Sequence, residues 1–266
     1  VRFPTLLFLA AACATRVPPS GLPPADGPAV WRVGVVVGSG DRLVSEVYTL
    51  IAAPKRSGIW AFSTEAAEGT WEERDAVLEW DSTNPRPDDP WPLLLQHAVS
   101  GVPAAIRFDA LGRPQQLAEA DAWRRAARSA MERLDLPAQA RASADALLDP
   151  VGIVRDLQRS LPGVPPDDTP WRREEQVAGI LVDRVETCER RRAGPRTTYR
   201  CEGTLEPHPT VAARLFDATS HTTLVVDARG LVQLDTSYEA TMVVLDASGT
   251  VPLDRPIAGR RQVVRQ

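Results

Sequence analysis

From residue 31 onward the chain reads mostly with a period of two. Residues 31–37 and 43–52 are runs rich in β-formers, separated by Gly38-Ser39-Gly40-Asp41. Residues 57–64 and 71–80 continue the pattern, with Gly69 expected to mark the turn between them. Residues 82–92 are a loop by composition, and a short helix is expected over 91–99. Further on, 176–189 and 196–206 flank Gly194-Pro195 and read as a hairpin, followed by strands over 221–226, 231–245 and from 250. A helical turn is expected around 212–216, and the tail RRQVVRQ is expected to pair as an edge strand.

Between these β-runs the period changes. Over 115–134 the apolar residues Leu117, Ala120, Trp123, Ala127, Ala130, Met131 and Leu134 follow helical spacing. A second helix is expected over 138–148. Asp149-Pro150 then supplies N-cap and first-turn signals for a third ending near Leu161, with Val151, Val154, Leu157 and Leu161 on one side. The class that follows is α+β: a predominantly antiparallel curled sheet or half-barrel of about 8–10 strands, with a helical insert over about 115–162. The motif apolar-Asp-Ala-x-Gly closes β-runs at 108–112, 226–230 and 245–249. Asp opening a type I turn with Gly in the left-handed position explains it locally. Its recurrence on both sides of the insert also fits two similar β halves, 31–114 and 171–266, within a single unit over 31–266.

The first 16 residues, VRFPTLLFLAAACATR, follow a different rule. Arg2 precedes an apolar run from Phe3 to Leu9, then Ala10, Ala11, Ala12 and Cys13. The run is far short of the roughly 20 residues that span a bilayer as a helix, so it reads as a secretory signal. It resembles the bacterial lipoprotein type, in which small residues before the cysteine form the cleavage motif and the thiol receives diacylglycerol. The resemblance implies a signal over 1–12 and lipid attachment at Cys13, with the membrane as partner through that lipid. Ala14 in place of Asp favours the outer membrane, facing the periplasm. Residues 13–30, proline-rich and without periodicity, read as an extended tether.

Composition narrows the partners. A net charge of -4, with Lys55 the lone lysine, makes nucleic acid an unlikely ligand, and no other apolar stretch approaches the length of a spanning helix. In an exported chain Cys188 and Cys201 read as an even pair. If the hairpin turns at Gly194-Pro195 they fall opposite each other, at a separation that a disulfide can bridge. Two free thiols or a metal pair are the other readings, though the spacing and the lack of a nearby histidine are poor for a metal.

Signals for catalysis are sparse. His97, His208 and His221 lie in separate segments, and no HExxH, G-x-S-x-G or S-x-x-K occurs. Gly38 and Gly40 lack the third glycine and the helix of a dinucleotide loop. The acid pairs Asp88-Asp89 and Asp167-Asp168 fit turn formation or capping better than Ca²⁺ binding. Arg172-Arg173 and Arg190-Arg191-Arg192 read as solvated faces, with anionic headgroups as another partner. Of Trp31, Trp60, Trp71, Trp80, Trp91, Trp123 and Trp171, most are expected in the core and one or two on an apolar pocket. The expectation is a non-enzyme with no cofactor and no metal. In element order the chain resembles the β-rich periplasmic lipoproteins that carry acyl chains or lipoproteins, in which a curved sheet and helical lid enclose an apolar cavity. That likeness implies a binding module for a lipid or other apolar ligand. The alternative is a structural or assembly lipoprotein that binds an envelope protein through its surface.

Overall fold

In the computed structural model the alternating runs become strands of one antiparallel sheet. It describes residues 28–56, 58–84, 86, 98–99, 101–109, 111–133, 148–167, 169–177, 180–209, 213–245 and 252–266. The N-terminal part supplies β1 (Ala29–Ser39), β2 (Arg42–Arg56), β3 (Ile59–Glu73), β4 (Ala76–Asp81), β5 (Ala104–Phe108) and β6 (Pro114–Leu117). Helices α1 (Ala120–Glu132) and α2 (Pro150–Ser160) follow. The C-terminal part supplies β7 (Trp171–Val177), β8 (Ile180–Ala193), β9 (Arg196–Pro207), β10 (Ala213–Asp227), β11 (Gly230–Leu245) and β12 (Pro252–Arg265). The sheet is 12-stranded and open, in the order β6-β5-β3-β2-β1-β12-β11-β10-β9-β8-β7, with β4 paired to β3. The class is α+β, as expected, with more strands than the expected 8–10. Strands as short as β5 and β6 carry too few alternations to stand out.

The C-terminal tail is not an edge. β12 pairs with β11 on one side and with β1 on the other, so the first and last strands meet in the middle of the sheet. Its alternate residues Ile257, Gly259 and Val263 are buried and the intervening Ala258, Arg260, Gln262 and Val264 are exposed, the pattern of a strand with one face on a core. Strand pairing also overrides local signals elsewhere. Residues 115–117, expected to open a helix, belong to β6 because Leu117 pairs with Ile106 of β5 and is buried there. The expected helical turn at 212–216 falls partly outside the described residues. From Ala213 on it is strand, with an irregularity between Phe216 and Thr219 where Asp217 takes a φ of 52°. Gly69 lies inside β3, whose turn comes later, at Arg74. A Cβ at Gly69 would meet Ser45 O at 2.3 Å and the Trp80 indole at 2.7 Å, so this glycine marks a close approach and not a turn.

Both helices pack on one face of the sheet. Asp149 caps α2, accepting from the N–H groups of Val151 and Gly152, and Pro150 occupies the first turn as expected. Val154 and Leu157 are buried, but Val151 is 54% exposed and lies off the packed side. α1 buries Trp123, Ala127, Ala130 and Met131. Trp123, Ala127 and Met131 join Trp31, Val33, Leu50, Phe62, Ile106 and Val263 in the main core. α2 also reaches both open edges of the sheet: Gln158 Nε2 donates to Pro114 O of β6 at 2.7 Å, and Arg155 pairs with Glu174 of β7 at 2.9 Å. The expected helix over 138–148 lies outside the described residues except at Leu148, which is buried. Of the expected 91–99 helix, 98–99 are described and helical. Among the described residues no helix is long and apolar enough to cross a membrane.

Turn chemistry follows the recurrent motif. Asp109 Oδ1 accepts from Leu111 N and Arg113 N, both at 2.9 Å, with Gly112 at φ 76°. Asp227 Oδ1 accepts from Arg229 N at 2.7 Å, with Gly230 at φ 91°. The third copy, at 245–249, lies beyond the described residues after Leu245. Asp227 is also gripped by Arg265 of β12, whose Nη2 lies 2.5 Å from Oδ2. The Arg265 hydrogen bond holds this carboxyl below its ordinary 3.8. A carboxylate whose folded value is lowered stabilises the fold fully above its ordinary value and loses that contribution as pH falls through the lowered one.

Two outcomes follow. Asp227→Asn, which keeps the turn acceptor, lowers stability by about 1–2 kcal/mol at pH 7. The gap from wild type in urea titrations closes as pH falls below the ordinary aspartate range, and a pH-independent gap would disprove the linkage. Gly259→Ala places a Cβ 2.4 Å from the Tyr238 ring and is expected to cost about 1–3 kcal/mol by the same measurement. An unchanged midpoint would show that the ring does not hold that position.

Candidate functional site

Register places every other residue of β1, β2, β3 and β7–β12 on the helix-covered face, and the site is built from that set. At its N-terminal side lies a cavity of about 500 Å³ between the sheet and the helices, within the roughly 300–1,000 Å³ of small-ligand sites. Leu50, Phe62, Ala104, Trp123, Ile153 and Leu157 give it apolar walls. Trp80, seated over Gly69, lines it further along. Its polar wall comprises Glu46, Tyr48, Asp156, Arg159, Ser160 and Arg261.

At that wall the side chains are tightly coupled. Ser160 Oγ lies 3.3 Å from the Tyr48 hydroxyl and accepts from Arg261 Nη1 at 3.3 Å. Burial raises the Tyr48 phenol above its ordinary 10.0, so the hydroxyl stays protonated and can donate. Asp156, its side chain 73% exposed, is the solvent-facing member of this wall and lies in the field of Arg159 and Arg261. Arg159 Nη1 meets Asp156 at 2.7 Å, Nη2 meets Gln176 at 3.2 Å, and its Nε faces Glu175 at 3.6 Å.

From Glu175 a row of charges runs inward along the sheet. Glu175 faces Arg184 at 3.7 Å, Arg184 faces Glu186 at 3.4 Å, and Glu186 pairs closely with Arg173. Asp156, Arg159, Glu175, Arg184, Glu186 and Arg173 therefore alternate in sign and sum to zero. Threonines complete the row. Thr222 Oγ1 donates to Glu186 Oε1 at 2.9 Å and accepts from Arg173 at 2.8 Å, and Arg184 donates to Thr236 Oγ1 at 2.5 Å and to Ser237 O at 3.0 Å. Glu186 reaches β10 across β9 because the residue between them is Gly203, where a Cβ would lie 1.9 Å from Val185 O. Arg173 stacks 3.9 Å above the Trp171 ring. Burial pushes its guanidinium down to about 10, against the attraction of Glu186, which leaves it charged at neutral pH. The side chains of Arg184 and Glu186 are 1% and 0% exposed. A pair so desolvated is held by its hydrogen bonds and by mutual charge.

The residues singled out in the sequence are scattered relative to this site. Cys188 and Cys201 face each other in the β8/β9 ladder and form a disulfide beside the main core. Cys13, His97, Asp88, Asp89, Asp168 and Trp91 lie outside the described residues. His221 is exposed on β10, and Asp167 pairs with Arg190 at 2.7 Å. Arg172 is 55% exposed, but Arg173 corrects the solvated-face reading, with its side chain 12% exposed. Trp31, Trp60 and Trp171 are core, Trp123 and Trp80 line the cavity, and Trp71 is 40% exposed. The charged row was missed altogether. Its one signal is phase: Arg184 and Glu186 alternate with Val182 and Cys188, and Arg173 and Glu175 with Trp171 and Val177, on the buried side of each strand. Among the described residues no group of three or more metal-capable side chains converges.

No family model matches the chain, and no curated protein matches it. Among solved structures the fold is similar to that of lipovitellin, in a structure concerned with lipid–protein interactions. The TM-score is 0.51, with 9% identity, over 91% of this chain and 25% of that one. The likeness is one of fold, and this chain corresponds to about a quarter of the lipovitellin chain.

Glu186→Gln removes the carboxylate between Arg173 and Arg184 and leaves both guanidiniums buried against a neutral amide. The expected loss is about 3–5 kcal/mol in chemical denaturation. A loss below about 1 kcal/mol would mean that the row is solvated like an ordinary surface pair.

Proposed function

We propose that the chain is an envelope lipoprotein whose folded part is a non-catalytic binding module for a lipid or other apolar ligand. The cavity carries this reading: apolar walls, a polar end, and about 500 Å³ between sheet and helices. The lipovitellin likeness supports it at the level of architecture, since an open antiparallel sheet of this kind occurs in a protein whose structure concerns lipid–protein interactions. Attachment through lipid on Cys13, with the folded part facing the periplasm from the outer membrane, is the proposed setting, and the signal-like residues 1–12 support it. A second reading, a structural or assembly lipoprotein that binds an envelope protein, is favoured by the apolar far end of β2–β4. There Val44 and Trp71 are cross-strand partners 36% and 40% exposed on one face, and Leu43 and Val77 are 39% and 64% exposed on the other.

One preparation tests the proposal. Wild type is expected in the membrane fraction and Cys13→Ser in the soluble fraction, from which it can be purified without detergent. Native mass spectrometry of that variant is expected to show bound lipid. Once stripped, it is expected to take up cis-parinaric acid with energy transfer from Trp80 and Trp123. Protein that carries no lipid and takes up no apolar probe would overturn the binding reading and leave the surface-binding one standing.

A further inference from the structure

Arg261 differs from every other guanidinium of the buried face. Arg159, Arg184 and Arg173 each pair with carboxylates in the alternating row. Arg261 lies on the central strand β12 and lines the cavity, and its hydrogen bond is a single one, 3.3 Å to the neutral Ser160 hydroxyl. It makes no ion pair with any described carboxylate. A half-buried guanidinium of this kind has donor capacity to spare in a place where water is scarce. The Tyr48 hydroxyl, bridged to it through Ser160, adds a neutral donor at the same end of the cavity.

We propose that Arg261 is the head-group anchor of this cavity and that its ligand is a single-chain amphiphile with a carboxylate head, a long-chain carboxylic acid. The proposal rests on the binding reading above and specifies its ligand. The head sits against Arg261 and the Tyr48 hydroxyl, and the chain runs along Leu50, Phe62 and Trp123. Fork-shaped guanidinium N–H groups match a planar carboxylate in two parallel bonds. A head with a single negative charge is preferred over a doubly charged phosphate because the two acids and two arginines that line the cavity, Glu46, Asp156, Arg159 and Arg261, already balance, so a second head charge adds unbalanced charge. Arg159, on the same cavity, already commits its terminal nitrogens to Asp156 and Gln176, and its Nε, without a hydrogen bond, faces Glu175 at 3.6 Å.

The test compares cis-parinaric acid with its methyl ester, and oleic acid with oleoyl lysophosphatidic acid as competitors, on the detergent-free Cys13→Ser chain. That chain is expected to bind the acid at least about tenfold more tightly than the ester, the scale of one charge-assisted hydrogen-bond pair. Oleic acid is expected to compete better than the phosphate lipid. With Arg261→Gln added, acid affinity is expected to fall by that factor while ester binding is retained, which also reports that the variant is folded. Arg261→Lys is expected to restore part of the preference. Equal affinity for acid and ester without the Arg261 change would overturn the proposal and leave an apolar cavity without a head-group anchor. So would equal loss of both probes in a folded Arg261→Gln variant, or stronger competition by the phosphate lipid. Binding of neither probe would instead remove the binding reading itself.

Discussion

The structure depends on the ladder between its first and last strands. β1 and β12 pair from Trp31 opposite Arg265 to Ser39 opposite Ile257. Nearly everything else is a succession of neighbours in sequence, β1 to β6 on one side and β7 to β12 on the other, except that β3 pairs with both β4 and β5. Without the β1/β12 pairing there would be two meanders with exposed edges. With it there is one sheet, and its most central strands are those farthest apart along the chain. The ladder is also where the core is driest. Trp31, Val33 and Val263 are fully buried along it, and the Trp31 indole crosses to donate to Leu231 O at 3.1 Å. Such long-range closure is slow to form, because loop entropy is lost before the contacts are gained.

A sheet with one covered face sorts its residues by phase, and here phase governs chemistry as well as packing. The covered face carries an apolar core under the helices and a second apolar cluster around Val182, Leu205, Met242 and Ile257. Between them the same inward positions hold Arg184 and Glu186, Ser220 and Thr222, Thr236, and Arg261. These polar residues form a belt across the strands. Buried charges of this kind persist only when each finds its opposite, and the row from Arg159 to Arg173, with the exposed Asp156 at its outer end, meets that condition by alternation. Arg261 sits in the belt but outside the row, where the belt meets the cavity.

Much of this was legible in the sequence, and the exceptions share a cause. Hairpin signals at Gly194-Pro195 located the Cys188–Cys201 bridge, and Asp149-Pro150 located α2, because turns and caps are decided by a few adjacent residues. Gly69, by contrast, is read as a turn by composition yet is required by Trp80 of the neighbouring strand. Residues 115–117 follow a helical spacing yet belong to β6, which pairs with β5. The tail has the look of an edge strand and is central because β1 returns to it. The charged row was hidden for the same reason. Arg173 beside Arg172 reads as a solvated pair until pairing register shows that one points in and the other out. Local chemistry survives reading along the chain; partners supplied by distant strands do not.

The cavity is a consequence of how the open sheet is closed. An open sheet leaves two edges, and here one helix serves both. Toward β6, α2 is held by the Gln158 bond to Pro114 O, and its Val154 is buried in the same core as Leu117. Toward β7 it is held by Arg155 with Glu174, both about 40% exposed at 41% and 39%, and by Arg159 with Gln176 and Glu175. The Arg155–Glu174 pair is exposed and contributes little, whereas Arg159 and Glu175, 11% and 12% exposed, are the buried part of the β7 contact. Ser160 at the end of α2 props against Tyr48 and Arg261, and the space left between Leu157 and Leu50 is the cavity. One set of contacts thus reaches both edges of the sheet and gathers Ser160, Tyr48 and Arg261 at the apolar chamber.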